Sequence, residues 1–315
     1  MFSVVIPLYN KGETIQRAIY SVLRQEFKDF ELIVVDDGST DDGPASVGVI
    51  SESRIRLVTQ ANRGVSATRN AGVRVARAPY VAFLDADDAW LPDHLSSLRR
   101  LILEYPQAGL FATSFRLVMA NGQSRACRGF DRQPIWSGEL DYFHWNGRGQ
   151  DPPFCASSVA LERDFFCRVG GFSEGCDYGE DQEMWARAQL HGSLAFESRI
   201  TSLYYFETLG NTFLTRGSGP PHAGCLVTPA CDWILSALAR GQVPERLRAS
   251  ARGYVDRQLL ARAWWHLLRM DRVSARACLS EIRTGVSRCS AYGCRALAYS
   301  PALALKVFLL ATRHH

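Results

Sequence analysis

The chain has 315 residues, 47% of them hydrophobic and 22% charged, with a formal net charge of +4. That supports one large domain or two smaller ones with a real core, and it excludes a disordered or low-complexity chain. No apolar run reaches the ~18–20 residues that a spanning helix needs, and the N-terminus lacks the charged and apolar regions of a signal peptide.

Ser3 to Pro7 reads as a short apolar strand of a buried parallel sheet. A helix follows, with Ile15, Ala18, Ile19, Val22 and Leu23 on one face. Residues 31–35 form a second strand that runs into Asp36-Asp37-Gly38, and Ile55 to Thr59 form a third. A helix is expected over Gly64 to Ala76, a fourth strand over 80–84, and a helix from near Pro92 to about Glu104. This alternation predicts a mostly parallel, doubly wound α/β sheet, with ligands outside the carboxyl ends of the strands. Residues 110–205 read as short strands with two helices. Residues 208–228, rich in Gly and Pro, read as a flexible loop, and the chain beyond Pro229 reads as helical. The expected division is therefore 1–206 (1–105 and 106–206 as its two halves), a loop at 207–228, and a helical region at 229–315.

Charge is uneven. Residues 240–315 hold 13 Arg and one Lys against four acids, a net +10, which leaves −6 for the rest. A basic helical tail suggests an anionic neighbour such as a membrane surface. The nine cysteines read as reduced, mostly buried thiols in a cytoplasmic protein. Cys289 and Cys294 are too widely spaced for a usual zinc knuckle.

The chemistry gathers at strand ends. Asp85 and Asp87 close the fourth strand, where a period of two would set both carboxylates on one face. Two hard oxygen ligands at that place suit Mg²⁺ or Mn²⁺; the bland alternative is an acidic turn, with Asp88 supporting the next helix dipole. Tyr9 offers a ring to a base, Asp37 an acceptor for a pyrimidine N–H, and Arg69 a donor for base or phosphate. Acids at 180 and 181 open a helix that runs to His191, where capping is the bland reading.

Five segments then occur in order: ValValIleProLeuTyrAsn (4–10), ValValAspAspGlySerThrAsp (34–41), ArgGlyValSerAlaThrArgAsnAlaGly (63–72), PheLeuAspAlaAspAsp (83–88) and GlyGluAspGlnGluMetTrp (179–185). Together they resemble the family 2 inverting glycosyltransferases of GT-A fold, over about residues 3–206. The resemblance implies a nucleotide-diphosphate sugar donor, most often of UDP, a divalent metal, and transfer with inversion to a glycan or lipid-linked acceptor in surface polysaccharide or glycolipid assembly. It implies that Pro7, Tyr9 and Asp37 hold the base, with Arg69 near the nucleotide. Asp85 then serves ribose and metal, Asp87 binds the metal directly, Asp181 is the catalytic base and Glu180 orients the acceptor.

Two features depart from relatives of this kind. The Gln-x-x-Arg-Trp motif and spanning helices of processive synthases are missing, which points to non-processive transfer. The segment 204–210 has no His, which leaves a third protein ligand for the metal open; His222 is a candidate, and a solvated loop residue is the bland reading. A nucleotide-sugar binding protein without activity and a sugar nucleotidyltransferase are the alternatives; the second should open with a Gly-rich loop, which this chain lacks. The tail carries no recognisable nucleic-acid-reading module.

Overall fold

The computed structural model describes residues 1–127, 134–146, 151–175, 179–206, 229–268 and 271–283. Strands β1 (Phe2–Leu8), β2 (Phe30–Asp36), β3 (Ile55–Thr59) and β4 (Tyr80–Phe83) are joined by parallel ladders: β1 with β2, β2 with β3, and β1 with β4. Both faces of β1 and β2 are covered, so these strands are almost wholly apolar, as buried parallel strands require. Val4, Ile6, Leu8, Leu32 and Val34 enter one core; Val5, Ile33, Val35, Val81 and Phe83 enter the other. The period-two alternation thus feeds two layers from one sheet.

Helices α1 (Ile15–Leu23) and α4 (His94–Glu104) cover the first face, and α3 (Val65–Val75) the second. A short α2 (Gly43–Gly48), started by Pro44, lies between β2 and β3. Gly72 of α3 sits directly on β1, since a Cβ there would lie 2.3 Å from Val5 Cγ1. Only glycine permits that approach, and it holds α3 firmly against the sheet.

The second half departs from the expected short strands and two helices. Among its described residues are the long strands β6 (Ala108–Met119) and β10 (Ser193–Phe206), and the α-helices α5 (Tyr142–Asn146), α6 (Arg163–Val169) and α7 (Glu180–His191). Two-residue β5 (Ala89–Trp90), β7 (Ser124–Ala126), β8 (Ser137–Glu139) and β9 (Val159–Glu162) complete the sheet among the described residues, in the order β3-β2-β1-β4-β9-β6-β10-β5, with β7 on β6 and β8 on β10. Strand β9 runs antiparallel to both β4 and β6, while β6 and β10 are parallel. Sequence periodicity missed the length of β10 because its register shifts between Glu197 and Ser202, and a shift of one residue moves every side chain to the other face.

Beyond residue 228 come α8 (Pro229–Ala239), α9 (Glu245–Leu268) and α10 (Arg272–Ser280). They share a core with the sheet: Tyr254 meets Phe143 of α5 at 5.8 Å between ring centres, and Val255, Leu259 and Leu267 are buried. Trp264 on α9 is 40% exposed. Among the described residues no helix is long and apolar enough to cross a membrane.

Candidate active site

The carboxyl end of β1 leads into Tyr9, which is 47% exposed at the mouth of the sheet. Pro7 is buried inside β1, beyond the last β1–β4 pair at Val5 and Phe83, where a missing N–H breaks no rung of that ladder. The next residues are tied to the loop after β2: Asn10 N–H donates to Ser39 Oγ at 3.1 Å, and Asn10 Oδ1 accepts from Thr40 N–H at 2.8 Å. Asp37 is only 2% exposed. Its carboxylate accepts from Gln60 Nε2 at 2.8 Å, Arg63 N–H at 2.9 Å and Gly64 N–H at 2.8 Å. It therefore shapes the loop that starts α3.

The acidic segment 85–88 is a turn and not the end of a strand. Strand β4 stops at Phe83, and Asp88 N–H closes the turn on Asp85 O at 3.0 Å. The alternation expected for Asp85 and Asp87 does not apply; both reach the surface because the turn projects from the sheet, and each side chain is 28% exposed. Each already has a cation beside it. Asp85 Oδ1 lies 2.7 Å from Arg69 Nη2, and Asp87 Oδ2 lies 2.7 Å from Lys11 Nζ.

Asp88 does not serve a helix dipole. It is buried, where its Oδ2 accepts from Ser157 Oγ at 2.5 Å and its Oδ1 from Tyr205 N–H at 3.0 Å. Burial, with Asp87 and Asp85 nearby, pushes its pKa well above the usual carboxylate range. Ser157 Oγ also accepts from Asp85 N–H at 3.1 Å, so one hydroxyl holds both ends of the turn. From behind, Arg17 Nη2 donates to Asp87 O at 2.5 Å while its guanidinium stacks on Tyr205, 3.8 Å from the ring centre. Ser157, Arg17 and Lys11 escaped the sequence reading. Asp88 carried a signal: a third acid in one turn needs a partner, and none is local.

Helix α7 begins at Glu180 after Gly179, which takes φ 70°. Glu180 Oε1 accepts from Arg69 Nη1 at 2.9 Å. Asp181 Oδ1 accepts from Gln182 N–H at 2.7 Å, so part of its role is the first-turn bond that capping would supply. Its carboxyl is nevertheless held up to about 7, by desolvation first and by Glu180 second, against the lowering pull of Arg69 and of the Gln182 N–H. Trp185 on the same helix is buried and packs on Phe154 and Phe172, which makes it core.

Arg69 thus brings together Asp85 and Glu180, with Asp181 next in sequence. Tyr9 and Asp37 follow strand ends of the same sheet edge. His222 lies outside the described residues. Among the described residues no group of three or more His, Cys, Asp or Glu gathers as for a closed metal site. Two carboxylates that already attract an ammonium and a guanidinium still fit a hard divalent cation that takes its remaining ligands from water and a diphosphate.

The model of the family described as Glycosyl transferase family 2 matches residues 3–167. The succinoglycan biosynthesis protein ExoO of Rhizobium meliloti (strain 1021) is 41% identical over 132 residues, 42% of this chain and 37% of its own. The UDP-Glc:alpha-D-GlcNAc-diphosphoundecaprenol beta-1,3-glucosyltransferase WfgD of Escherichia coli is 36% identical over 105 residues, 33% of this chain and 42% of its own. The chain thus spans about two fifths of either relative. Among solved structures, S. aureus TarS 1-349 in complex with UDP-GlcNAc superposes with a TM-score of 0.67 at 17% identity, covering 98% of this chain and 89% of that one. The mannosyltransferase PcManGT from Pyrobaculum calidifontis, in complex with GDP-Man and Mn2+, gives 0.56 at 18% identity, covering 98% and 83%. These structures share the GT-A arrangement of sheet and helices described above. With more than half of its length matched by the family model, the chain belongs to glycosyl transferase family 2.

Proposed function

We propose that this protein moves a sugar from a nucleoside diphosphate sugar to an acceptor hydroxyl, with inversion at the anomeric carbon, in the assembly of a surface polysaccharide or glycolipid. The observation that carries the reading is Asp181: a carboxylate held near neutrality, one residue from a buried ion-pair network that reaches the Asp85–Asp88 turn. A group of that pKa both ionises at neutral pH and takes up a proton readily, as a general base must.

In this reading Tyr9 stacks on the base, Pro7 and Asp37 shape its seat, and Asp85, held by Arg69, lines the nucleotide. Asp85 and Asp87 are the residues that would hold Mg²⁺ or Mn²⁺, and the ion would offset charge on the departing diphosphate. Asp181 removes the proton of the acceptor hydroxyl as its oxygen bonds to the anomeric carbon and the sugar–diphosphate bond breaks on the opposite face. Glu180, held by Arg69, orients the acceptor beside Asp181. WfgD acts with a UDP sugar and TarS was captured with one, which favours UDP as the donor; PcManGT with GDP-Man makes GDP the control.

Turnover of UDP and GDP sugars should be measured with Mn²⁺ and with EDTA, alongside calorimetry of the free nucleoside diphosphates. We expect UDP-sugar turnover and tight UDP binding only with metal. Equal affinity and activity in EDTA would remove the metal from the proposal.

For the basic region 240–315 we propose contact with an anionic membrane surface that carries a lipid-linked acceptor. Part of its charge is already engaged, since Arg252 pairs with Asp256 at 2.8 Å and Arg262 with Asp232 at 3.2 Å; residues 284–315 lie outside the described residues. Flotation with anionic vesicles should show salt-sensitive binding, and its absence would leave the helices as a support for the catalytic core alone.

A further inference from the structure

Arg69 stands on α3, which Gly72 seats directly against β1. Its side chain is 3% exposed, and burial alone would disfavour its charge. Asp85 and Glu180 more than compensate, so its pKa stays above the ordinary value. The two terminal nitrogens go to different carboxylates: Nη2 to Asp85 Oδ1 at 2.7 Å, and Nη1 to Glu180 Oε1 at 2.9 Å. The guanidinium also lies over the Phe172 ring, 5.1 Å from its centre. The neighbouring Asn70 grips the backbone of Phe172 from both sides, donating to its carbonyl at 2.8 Å and accepting from its N–H at 2.9 Å. Arg187 of α7 then donates to Val169 O at 2.7 Å and Gly171 O at 2.6 Å, tying the catalytic helix to the same turn.

One helix, α3, therefore grips both the acidic turn after β4 and the chain that leads into α7. A planar guanidinium serves two fixed carboxylates at once, which a single ammonium cannot do in the same geometry. A residue whose main task is to touch the nucleotide has no need to reach the first turn of α7.

We propose that Arg69 is a positioning residue: it anchors Asp85 and Glu180 to a common post, so that the donor site and the base Asp181 keep one spacing. The inference rests on the proposed roles of Asp85 and Asp181. Its effect is expected on the chemical step, because displacing a reacting group by about 1 Å can cost ~10²-fold in rate.

The test uses the full chain with Arg69→Lys, Arg69→Met, Glu180→Gln and the double variant Arg69→Met/Glu180→Gln. The double variant also removes one of the two part-buried carboxylates that Arg69→Met leaves without their cation. We expect kcat to fall by ~10–100-fold in Arg69→Met, with Arg69→Lys failing to restore it. UDP affinity by calorimetry in Mg²⁺ should move by less than about threefold. The double variant should be no slower than Arg69→Met alone, since partners in one network are not additive. Independent, multiplying losses would overturn the proposal, as would a loss of UDP affinity with kcat kept, which marks a nucleotide contact. Hydrogen exchange gives a readout that needs no turnover: in Arg69→Met the amides of 182–185 and 86–88 should lose protection while those of α9 do not. If the wild type transfers no sugar, the glycosyl-transfer reading fails by itself, and unchanged exchange at these amides would sink the positioning role separately.

Discussion

The turn at 85–88 and the start of α7 both present acidic side chains to the same site, yet they treat those acids differently. In the turn, Asp85 and Asp87 are part-exposed and each lies beside a cation, while Asp88 is buried on a hydroxyl and a backbone N–H. At α7, Glu180 takes the cation and Asp181, in a desolvated position, accepts from a backbone N–H. Residue type is the same in both places. Partner and burial decide which carboxylates lie beside cations and which, desolvated, has its pKa raised toward the range where it can exchange a proton.

The largest expected effect tests the α7 side of that contrast. Asp181→Asn keeps size and the bond to Gln182, so folding should survive while turnover falls by ~10²–10⁴-fold. The wild-type activity should rise with pH through about 7, because the base acts only when ionised and its pKa lies there. Full activity in Asp181→Asn, retention of configuration in the product, or a profile flat from pH 5 to 8 would assign the base elsewhere.

A smaller effect tests the turn. Asp88→Ala leaves Ser157 Oγ and Tyr205 N–H without their acceptor and should cost ~1–3 kcal/mol of stability in denaturant unfolding. Asp88→Asn keeps one oxygen to accept from Tyr205 N–H and turns an N–H toward Ser157 Oγ, whose hydroxyl can accept it, and should cost less. Equal losses in the two variants would mean that Asp88 contributes its charge and not its hydrogen bonds.

Much of this was legible in the linear chain. The apolar strands 3–7 and 31–35, the helical faces between them and the polar strand ends announced the parallel half, because period and burial are local properties. The second half was less legible: β10 changes register midway, and α5 is only five residues long, so neither shows a clean period. The site residues could be named singly, but their relations could not be read. The grip of Asp37 on three N–H groups of the 60–64 loop could not be read beforehand, and Asp88, for which the bland reading offered a helix dipole, is buried.

By itself, then, the amino-acid sequence determined the order of strand-end motifs, the two-faced parallel sheet and the identity of the acids that meet at its edge. Only the tertiary structure decided what each acid does there. Arg69 reaches Asp85 across 16 positions and Glu180 across 111, and no local pattern encodes a pairing over such distances. Desolvation likewise belongs to the assembled core: Asp181 becomes a candidate base, and Asp88 a structural one, through what the fold packs around them.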